Sequence, residues 1–362
     1  MDLLRYFHPV LTSSELAKKP VRVELAGSVY ALFRDGTGKA CAVADRCPHR
    51  YAPLSAGWVR PDGRLACPYH GWHFDGAGCG QSPSVLNFNC QTTALQVVEK
   101  DQSIWIAAQG VSPDSIPGPD HPHFTLAGSF AEIFPTPLHV ALDNFCEDEH
   151  TPFIHHRLGW TEAEAPLVKF DASNHPDHTE VHYQAPQRRN LFFVKRGDLF
   201  FNDFQTYFDP PRIHYHLFWK DPTGATARDF EIFVLIYFVP ITANSTRVHA
   251  ILYVKRLGGF RIFRPLVHRI ACWIVREEIR DDCRFISAVA NTPFDMRGMK
   301  LSKFDKPLLH NHKLLKQIYL GEPAAGVGAE SGVLAAETPP ISNQFTDGTR
   351  APDATNLAPD CE

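Results

Sequence analysis

The chain has 362 residues, with 36 Lys and Arg against 40 Asp and Glu and a formal net charge of −4. No basic block stands out, which argues against a nucleic-acid partner, because binding a phosphate backbone takes clustered Lys and Arg. With 44% hydrophobic and 21% charged residues it has the make-up of a soluble globular protein, long enough for two domains.

The start, "MDLLRYFHPVLTSSEL", lacks a basic stretch followed by an apolar core, so no signal peptide is expected. Nine Cys, an odd number in a long chain, do not read as a disulfide framework. A reducing, cytoplasmic compartment fits them better, with some Cys as metal ligands or core residues.

The segment "VRVELAGSVYALFRDGTGKACAVAD" alternates in short runs broken at Gly27 and at Asp35-Gly36, a hairpin pattern. Further strands are expected near Leu65–Ala66, Thr93–Val98 and Ile104–Ala107. Residues 109–124 are rich in Pro, Gly and Ser and read as a connecting loop. After it, "PLHVALDNFCEDEHTPFIHHRLGW" reads as a helix bent near Pro152. Strands return in "TEVHYQ", "NLFFVKRGD", "RIHYHLFWK", "RDFEIFVLIYFVP" and "RVHAILYVKR". The apolar run Phe230 to Pro240 is too short to span a bilayer as a helix and reads as a buried strand. A long helix is expected from about Phe260 to Val289. Residues 322–362, rich in Ala, Gly, Pro, Thr and acids, are expected to be a disordered tail. The fold class expected is α+β: a small all-β domain over 1–115, then a larger domain over 125–321 in which helices flank an antiparallel sheet.

In "DRCPHRYAPLSAGWVRPDGRLACPYHGWHF" each of two short motifs gives one Cys and one His: Cys47 with His49, and Cys67 with His70. Structural zinc sites more often pair Cys with Cys and His with His. A split of two thiolates and two imidazoles suits a [2Fe–2S] cluster in which His replaces Cys on one iron. Pro48 and Pro68 would stiffen the loops, Gly71 would allow close backbone approach, and Trp72 and Phe74 would shield the cluster. "CPHR" and "CPYHGWHF" closely resemble the signature of Rieske domains. Cys41, Cys79 and Cys90 are expected to be packing residues.

In "LDNFCEDEHTPFIHH", His150 and His155 are five apart and on one straight helix would point about 140° from each other. A break at Pro152 would bring both rings to one metal. Two imidazoles and a carboxylate make the facial triad of non-haem Fe(II) oxygenases, which leaves positions open for O2. The stretch resembles the N-x2-D-x2-H-x4-H motif of the Rieske non-haem iron oxygenases, with Asn144, His150 and His155 matching and Glu147 in place of the Asp. His156 is an alternative to His155. "REEIRDDCRFISAVA" offers Glu277, Glu278, Asp281 and Asp282 as the third ligand. Asp282 fits the family pattern best, with apolar Phe285 and Ile286 at +3 and +4, and Asp281 is the alternative. The plain reading of any of these acids is an exposed helical charge, as for Glu278 and Asp282 on one stripe.

The resemblance implies a Rieske domain followed by a helix-grip-like catalytic domain, and a terminal oxygenase. Electrons would come from a ferredoxin or ferredoxin reductase, with NAD(P)H used indirectly through a separate reductase. A homotrimer is implied, in which Glu147 links the cluster of one subunit to the iron of the next, while Asn144 orders the iron surroundings. The substrate would be a small, mostly apolar or aromatic metabolite. Hydroxylation or demethylation is favoured, with cis-dihydroxylation, or electron transfer without substrate chemistry, as alternatives. Aromatics of the middle strands would line the pocket: Phe192, Phe193, Phe200, Phe201, Phe204, Tyr207, Phe208, Phe218 and Trp219. His214 and His216 read as solvent-facing. The basic, amphipathic stretch 259–276 would cover the sheet or meet a ferredoxin, with a membrane surface as the lesser alternative.

Overall fold

A computed structural model describes residues 3–85, 89–119, 123–191, 194–255 and 264–322. The tail expected over 322–362 lies outside the described residues from 323 onward, as do Phe192, Phe193 and residues 259–263.

The first part is all β. Its strands are β1 (His8–Thr12), β2 (Val21–Leu25), β3 (Ser28–Arg34), β4 (Ala40–Ala44), β5 (Trp58–Val59), β6 (Leu65–Ala66), β7 (His73–Phe74), β8 (Cys79–Gln81), β9 (Asn89–Gln91), β10 (Ala94–Lys100) and β11 (Ser103–Ala107). They form a six-stranded sheet in the order β1-β11-β10-β4-β3-β2 and a meander, β5 to β9, inserted between β4 and β10. The β2–β3 hairpin turns on Ala26 and Gly27, both at positive φ (48° and 81°), the left-handed pair that a two-residue hairpin requires.

The second part holds β12 (Phe124–Phe134), α1 (Leu138–Cys146), α2 (Thr151–Ile154), β13 (Lys169–Asn174), β14 (His178–Pro186), β15 (Leu199–Phe208), β16 (Pro211–Lys220), β17 (Ala227–Thr242), β18 (Ser245–Lys255), α3 (Arg264–Ile286) and α4 (Leu308–Leu314). Its seven strands run antiparallel in the order β12-β18-β17-β16-β15-β14-β13. The α+β architecture expected from the sequence is the one found.

Both faces of β17 are covered, which explains its uninterrupted apolar run. Phe233, Leu235 and Tyr237 join the core shared with the N-terminal sheet, while Val234, Ile236 and Phe238 join the core under α1 and α3.

Three local expectations are corrected. β12 was not foreseen, because Gly128, Ser129 and the preceding Pro-rich stretch mask its alternation; it pairs with β18 along its length. The strand expected over "NLFFVKRGD" begins only at Leu199, after a turn at Gly197 (φ 85°). The helix over 138–154 breaks at Glu147, whose φ of −120° is extended, and not at Pro152. Pro152 instead sits in the first turn of α2, where its missing N–H costs nothing.

Candidate functional site

The two Cys–His loops are near copies. The Cys47 N–H donates to Ala52 O at 2.9 Å and the Tyr51 N–H to Cys47 O at 2.8 Å. The Cys67 N–H donates to Trp72 O at 2.7 Å and the Gly71 N–H to Cys67 O at 3.1 Å. Each turn therefore needs a left-handed residue four after the Cys, and Tyr51 (φ 60°) and Gly71 (φ 70°) supply it. A Cβ on Gly71 would meet only Pro83 Cγ at 3.6 Å among the protein atoms, and the left-handed φ by itself favours glycine there.

Cys47 and Cys67 are each 1% exposed and pack with Phe33, Leu54, Leu65 and Phe74. His49 and His70 lie on the exposed side, with ring centroids 4.5 Å apart. Trp72 stacks on His49 at 4.7 Å. Burial, with Cys67 beside it, pushes the Cys47 thiol up to about 11, so metal must displace its proton. Some desolvation, with His49 and Arg50 nearby, holds His70 below its ordinary value, as suits a neutral imidazole ligand. Buried thiols inside and imidazoles outside, on facing loops, fit a [2Fe–2S] cluster with two ligands of each kind. Cys41 is a packing residue of the same cluster of side chains, and Cys90 packs against it.

The second site forms where the chain leaves α1. Asp143 of α1 is held by His312 of α4 at 2.8 Å, and Tyr215 of β16 donates to the Phe145 carbonyl. The extended turn after Cys146 and the short α2 then bring His150 and His155 together. Their Nε2 atoms lie 3.1 Å apart and 3.4 and 3.5 Å from Asp282 Oδ1. Among the described residues, these are the one group of three whose ligand atoms fall within 4.8 Å of one another. Asp282 Oδ1 is buried without a hydrogen bond, the state of an oxygen awaiting a cation. Two imidazole nitrogens and a carboxylate fit a single iron.

Asp281 is turned away to Arg284 (2.6 Å) and Arg157 (3.5 Å), and Glu277 to Arg280 (2.8 Å). His156 is exposed. Ile286 is buried as expected, but Phe285 is 50% exposed and anchors nothing in the core.

Both imidazoles have a carboxylate behind them. The His150 Nδ1–H donates to Glu147 Oε1 at 2.5 Å, and His155 Nδ1 faces Glu278 Oε2 at 3.3 Å. Glu278 is 7% exposed and also accepts from Arg157 at 3.3 Å, so it is no solvent charge; it lies one turn before Asp282 on the buried stripe of α3. Burial lifts its carboxyl above the ordinary value, against the pull of His155 and Arg157. Its role was missed because only the fold brings Arg157 and His155 over α3.

The three ligands open on a pocket with about 710 Å³ of atom-free space, mouth included. Its apolar wall includes Phe145, Phe200, Leu217, Val234, Ile236 and Ile279. Asn144 lines it with a buried, unpartnered Nδ2. Of the nine aromatics expected to line it, Phe200 does; Phe192 and Phe193 lie outside the described residues. Trp219 and Phe208 are core, and Phe201 stacks on Phe218 at 4.7 Å. The period-two alternation of β15 and β16 sorts them: Phe200, Asn202 and Leu217 face the pocket, their neighbours the other side. His216 is paired with Glu231 at 3.2 Å, and His214, beside Arg212, is lowered to about 3 mainly by burial, so neither is a bare solvent-facing residue. The lining residues Asp148, Tyr183, Asn202 and Tyr215 were not singled out from the sequence. Burial first, then the Asp148 carboxylate, keeps the Tyr183 phenol protonated.

Comparison with known proteins matches these features. A family model described as "Rieske [2Fe-2S] domain" covers residues 6–96. Chlorophyllide a oxygenase of Chlamydomonas reinhardtii is 33% identical over 180 residues, 47% of this chain and 27% of that protein. The oxygenase component of dicamba O-demethylase of Stenotrophomonas maltophilia is 34% identical over 164 residues, 41% of this chain and 46% of that protein. The match thus spans less than half the length of either relative. The crystal structure of dicamba monooxygenase bound to 3,6-dichlorosalicylic acid superposes with a TM-score of 0.72 at 19% identity, over 88% of this chain and 99% of that one, so the two share a fold.

Proposed function

We propose, from the premise that this chain belongs to the Rieske non-haem iron oxygenases, that it is a terminal oxygenase acting on a small, mostly apolar or aromatic molecule. Residues 1–115 would form the cluster domain and 125–321 the catalytic domain. Cys47, His49, Cys67 and His70 would hold a [2Fe–2S] cluster, and His150, His155 and Asp282 a mononuclear Fe(II). Bound there, the two centres would supply stored electrons and the activation of O2.

The chain's own residues do the rest. Glu147 and Glu278 take the Nδ1 side of the two imidazoles, which leaves both Nε2 atoms aimed at Asp282 Oδ1. The apolar wall excludes water and fixes the substrate beside them. Asn144 lines the same space and would order the surroundings of the iron.

The partners that suit this reading are a ferredoxin or ferredoxin reductase, with NAD(P)H used by that reductase, and two further copies of the chain in a homotrimer. Glu147, with its Oε1 on His150, would stand on the route from a neighbour's cluster. A cytoplasmic location is part of the proposal. Among the described residues, no helix is long and apolar enough to cross a membrane. A monooxygenase outcome, hydroxylation or demethylation, is preferred to dihydroxylation.

One observation carries the reading: three ligand atoms converge at a pocket with a largely apolar wall, which an electron carrier has no use for. The test is a single-turnover experiment on the reduced holoprotein with a panel of small aromatic substrates. A substrate that quickens cluster reoxidation and acquires oxygen supports it. If none does so, and Asp282→Ala changes nothing, the proposal fails.

A further inference from the structure

The hairpin between β13 and β14 is dense in side chains that ligate metals. The stretch "HPDHTEVH", residues 175–182, holds three His, one Asp and one Glu. His178, Glu180 and His182 fall on one face of β14, because side chains alternate along a strand. His175 sits at the turn. Its ring stacks on His178 with centroids 4.4 Å apart, and its carbonyl lies 2.7 Å from Nε2 of His310 on α4.

Glu180 stands between two imidazoles. His175 Nε2 is 3.8 Å from its Oε2, and His182 Nε2 is 3.9 Å from its Oε1. Both gaps are too wide for a hydrogen bond. They suit ligands of one ion: with bonds of about 2.1 Å, neighbouring donors of a tetrahedral zinc lie about 3.4 Å apart, and further where the angle opens. His175 Nε2 is also shut off from solvent, without a hydrogen bond to the described residues.

The surroundings hold these groups as ligands are held. The Tyr207 hydroxyl donates to Gln205 Oε1 at 2.9 Å, and Gln205 Nε2 donates to Glu180 Oε1 at 3.2 Å. Asp203 Oδ1 lies 3.5 Å from His182 Nδ1, which leaves Nε2 toward Glu180. Glu147 stands behind His150 in the same way. Glu180, His182, Asp203 and Gln205 line one groove on the face of the sheet turned away from the iron pocket.

We propose that His175, Glu180 and His182 form a second metal site, for a divalent ion of the zinc class, which fastens the edge of the catalytic sheet. Two imidazoles and a carboxylate favour zinc and its neighbours over Mg2+ and Ca2+, which prefer oxygen ligands throughout. The His175 and His182 side chains are 40% and 60% exposed, so an ion can enter and draw both rings onto the carboxylate. β13 ends the seven-stranded sheet and is paired with β14, so an ion here clamps that hairpin at its turn.

The test is equilibrium dialysis of the iron-loaded holoprotein against about 10 µM Zn2+, with zinc and iron counted per chain. About one zinc per chain is expected with the iron count unchanged, and about a hundredfold excess of Mg2+ should not displace it. His175→Ala, Glu180→Gln and His182→Ala should each weaken zinc binding at least about tenfold, and Asp203→Asn about tenfold. Zinc should raise the melting temperature of the unsubstituted protein more than that of these variants. No bound zinc, zinc gained only as iron is lost, displacement by Mg2+, or binding unchanged in every folded variant overturns the proposal. The four substitutions are made separately, so a variant that fails to fold leaves the others to decide.

Discussion

His155 Nδ1 and Glu278 Oε2 face each other at 3.3 Å, and neither atom has a hydrogen bond elsewhere among the described residues. Glu278 lies one turn before Asp282, so α3 supplies both a ligand carboxylate and the carboxylate that orients a ligand imidazole. Glu147 does the same for His150 from the loop after α1. Replacing Glu278 by Gln keeps the shape and removes the charge. Metal affinity at the mononuclear site is expected to fall about tenfold or more, with the cluster spectrum unchanged. Chelator competition measures this, and unaltered iron retention would refute the orienting role.

What the sequence made legible was local chemistry. Cys47, His49, Cys67 and His70 lie in two tight turns whose geometry is set within six residues, so spacing alone shows the grouping. His150 and His155 were legible as a pair for the same reason, although the bend that joins them comes at Glu147 rather than at Pro152. Asp282 stood out from Asp281 through the apolar pair Phe285 and Ile286 at +3 and +4, of which only Ile286 is buried. Glu278 was legible only as one of four candidate ligands and Asp148 not at all, because an acid in a charged stretch looks solvated until Arg157, His155 and the sheet close over it. The aromatics of β15 and β16 misled, since alternation divides them between a buried face and a partly exposed one, and only the buried face holds the pocket. β12 escaped because it pairs with β18, more than a hundred residues away.

The end of α1 is tied down by a buried pair. His312 Nε2 lies 2.8 Å from both Asp143 oxygens, while its Nδ1 lies 3.0 Å from the Phe294 carbonyl. Asp143→Ala strands this imidazole and frees the helix that leads to His150. A loss of about 3 kcal/mol in unfolding free energy is expected, with weaker iron retention. Urea unfolding measures it; a change under about 0.5 kcal/mol would mean that the pair does not hold the helix.

Stability should also fall on the acid side through His8. Its ring is fully buried, with Nε2 3.0 Å from the Tyr319 hydroxyl and Nδ1 3.0 Å from the Tyr6 carbonyl. Burial lowers its pKa from 6.5 to about 4, against the pull of that carbonyl. Above 6.5 both folded and unfolded states carry it neutral, and it has no effect. Below 6.5 the unfolded chain takes up the proton first, so stability drops as pH falls, by about 3 kcal/mol at pH 4. Melting temperatures between pH 7 and pH 4.5 follow this, and His8→Asn should flatten the slope. A slope that the substitution leaves unchanged would assign it to other groups.

The central claim is that this chain carries a mononuclear iron beside its cluster. Iron per chain, measured in the purified protein and in Asp282→Ala, tests it most directly. The account predicts about three irons per chain, falling to about two in the variant while the Rieske spectrum stays unchanged. Two irons in both proteins, or no loss on removing Asp282, would contradict it.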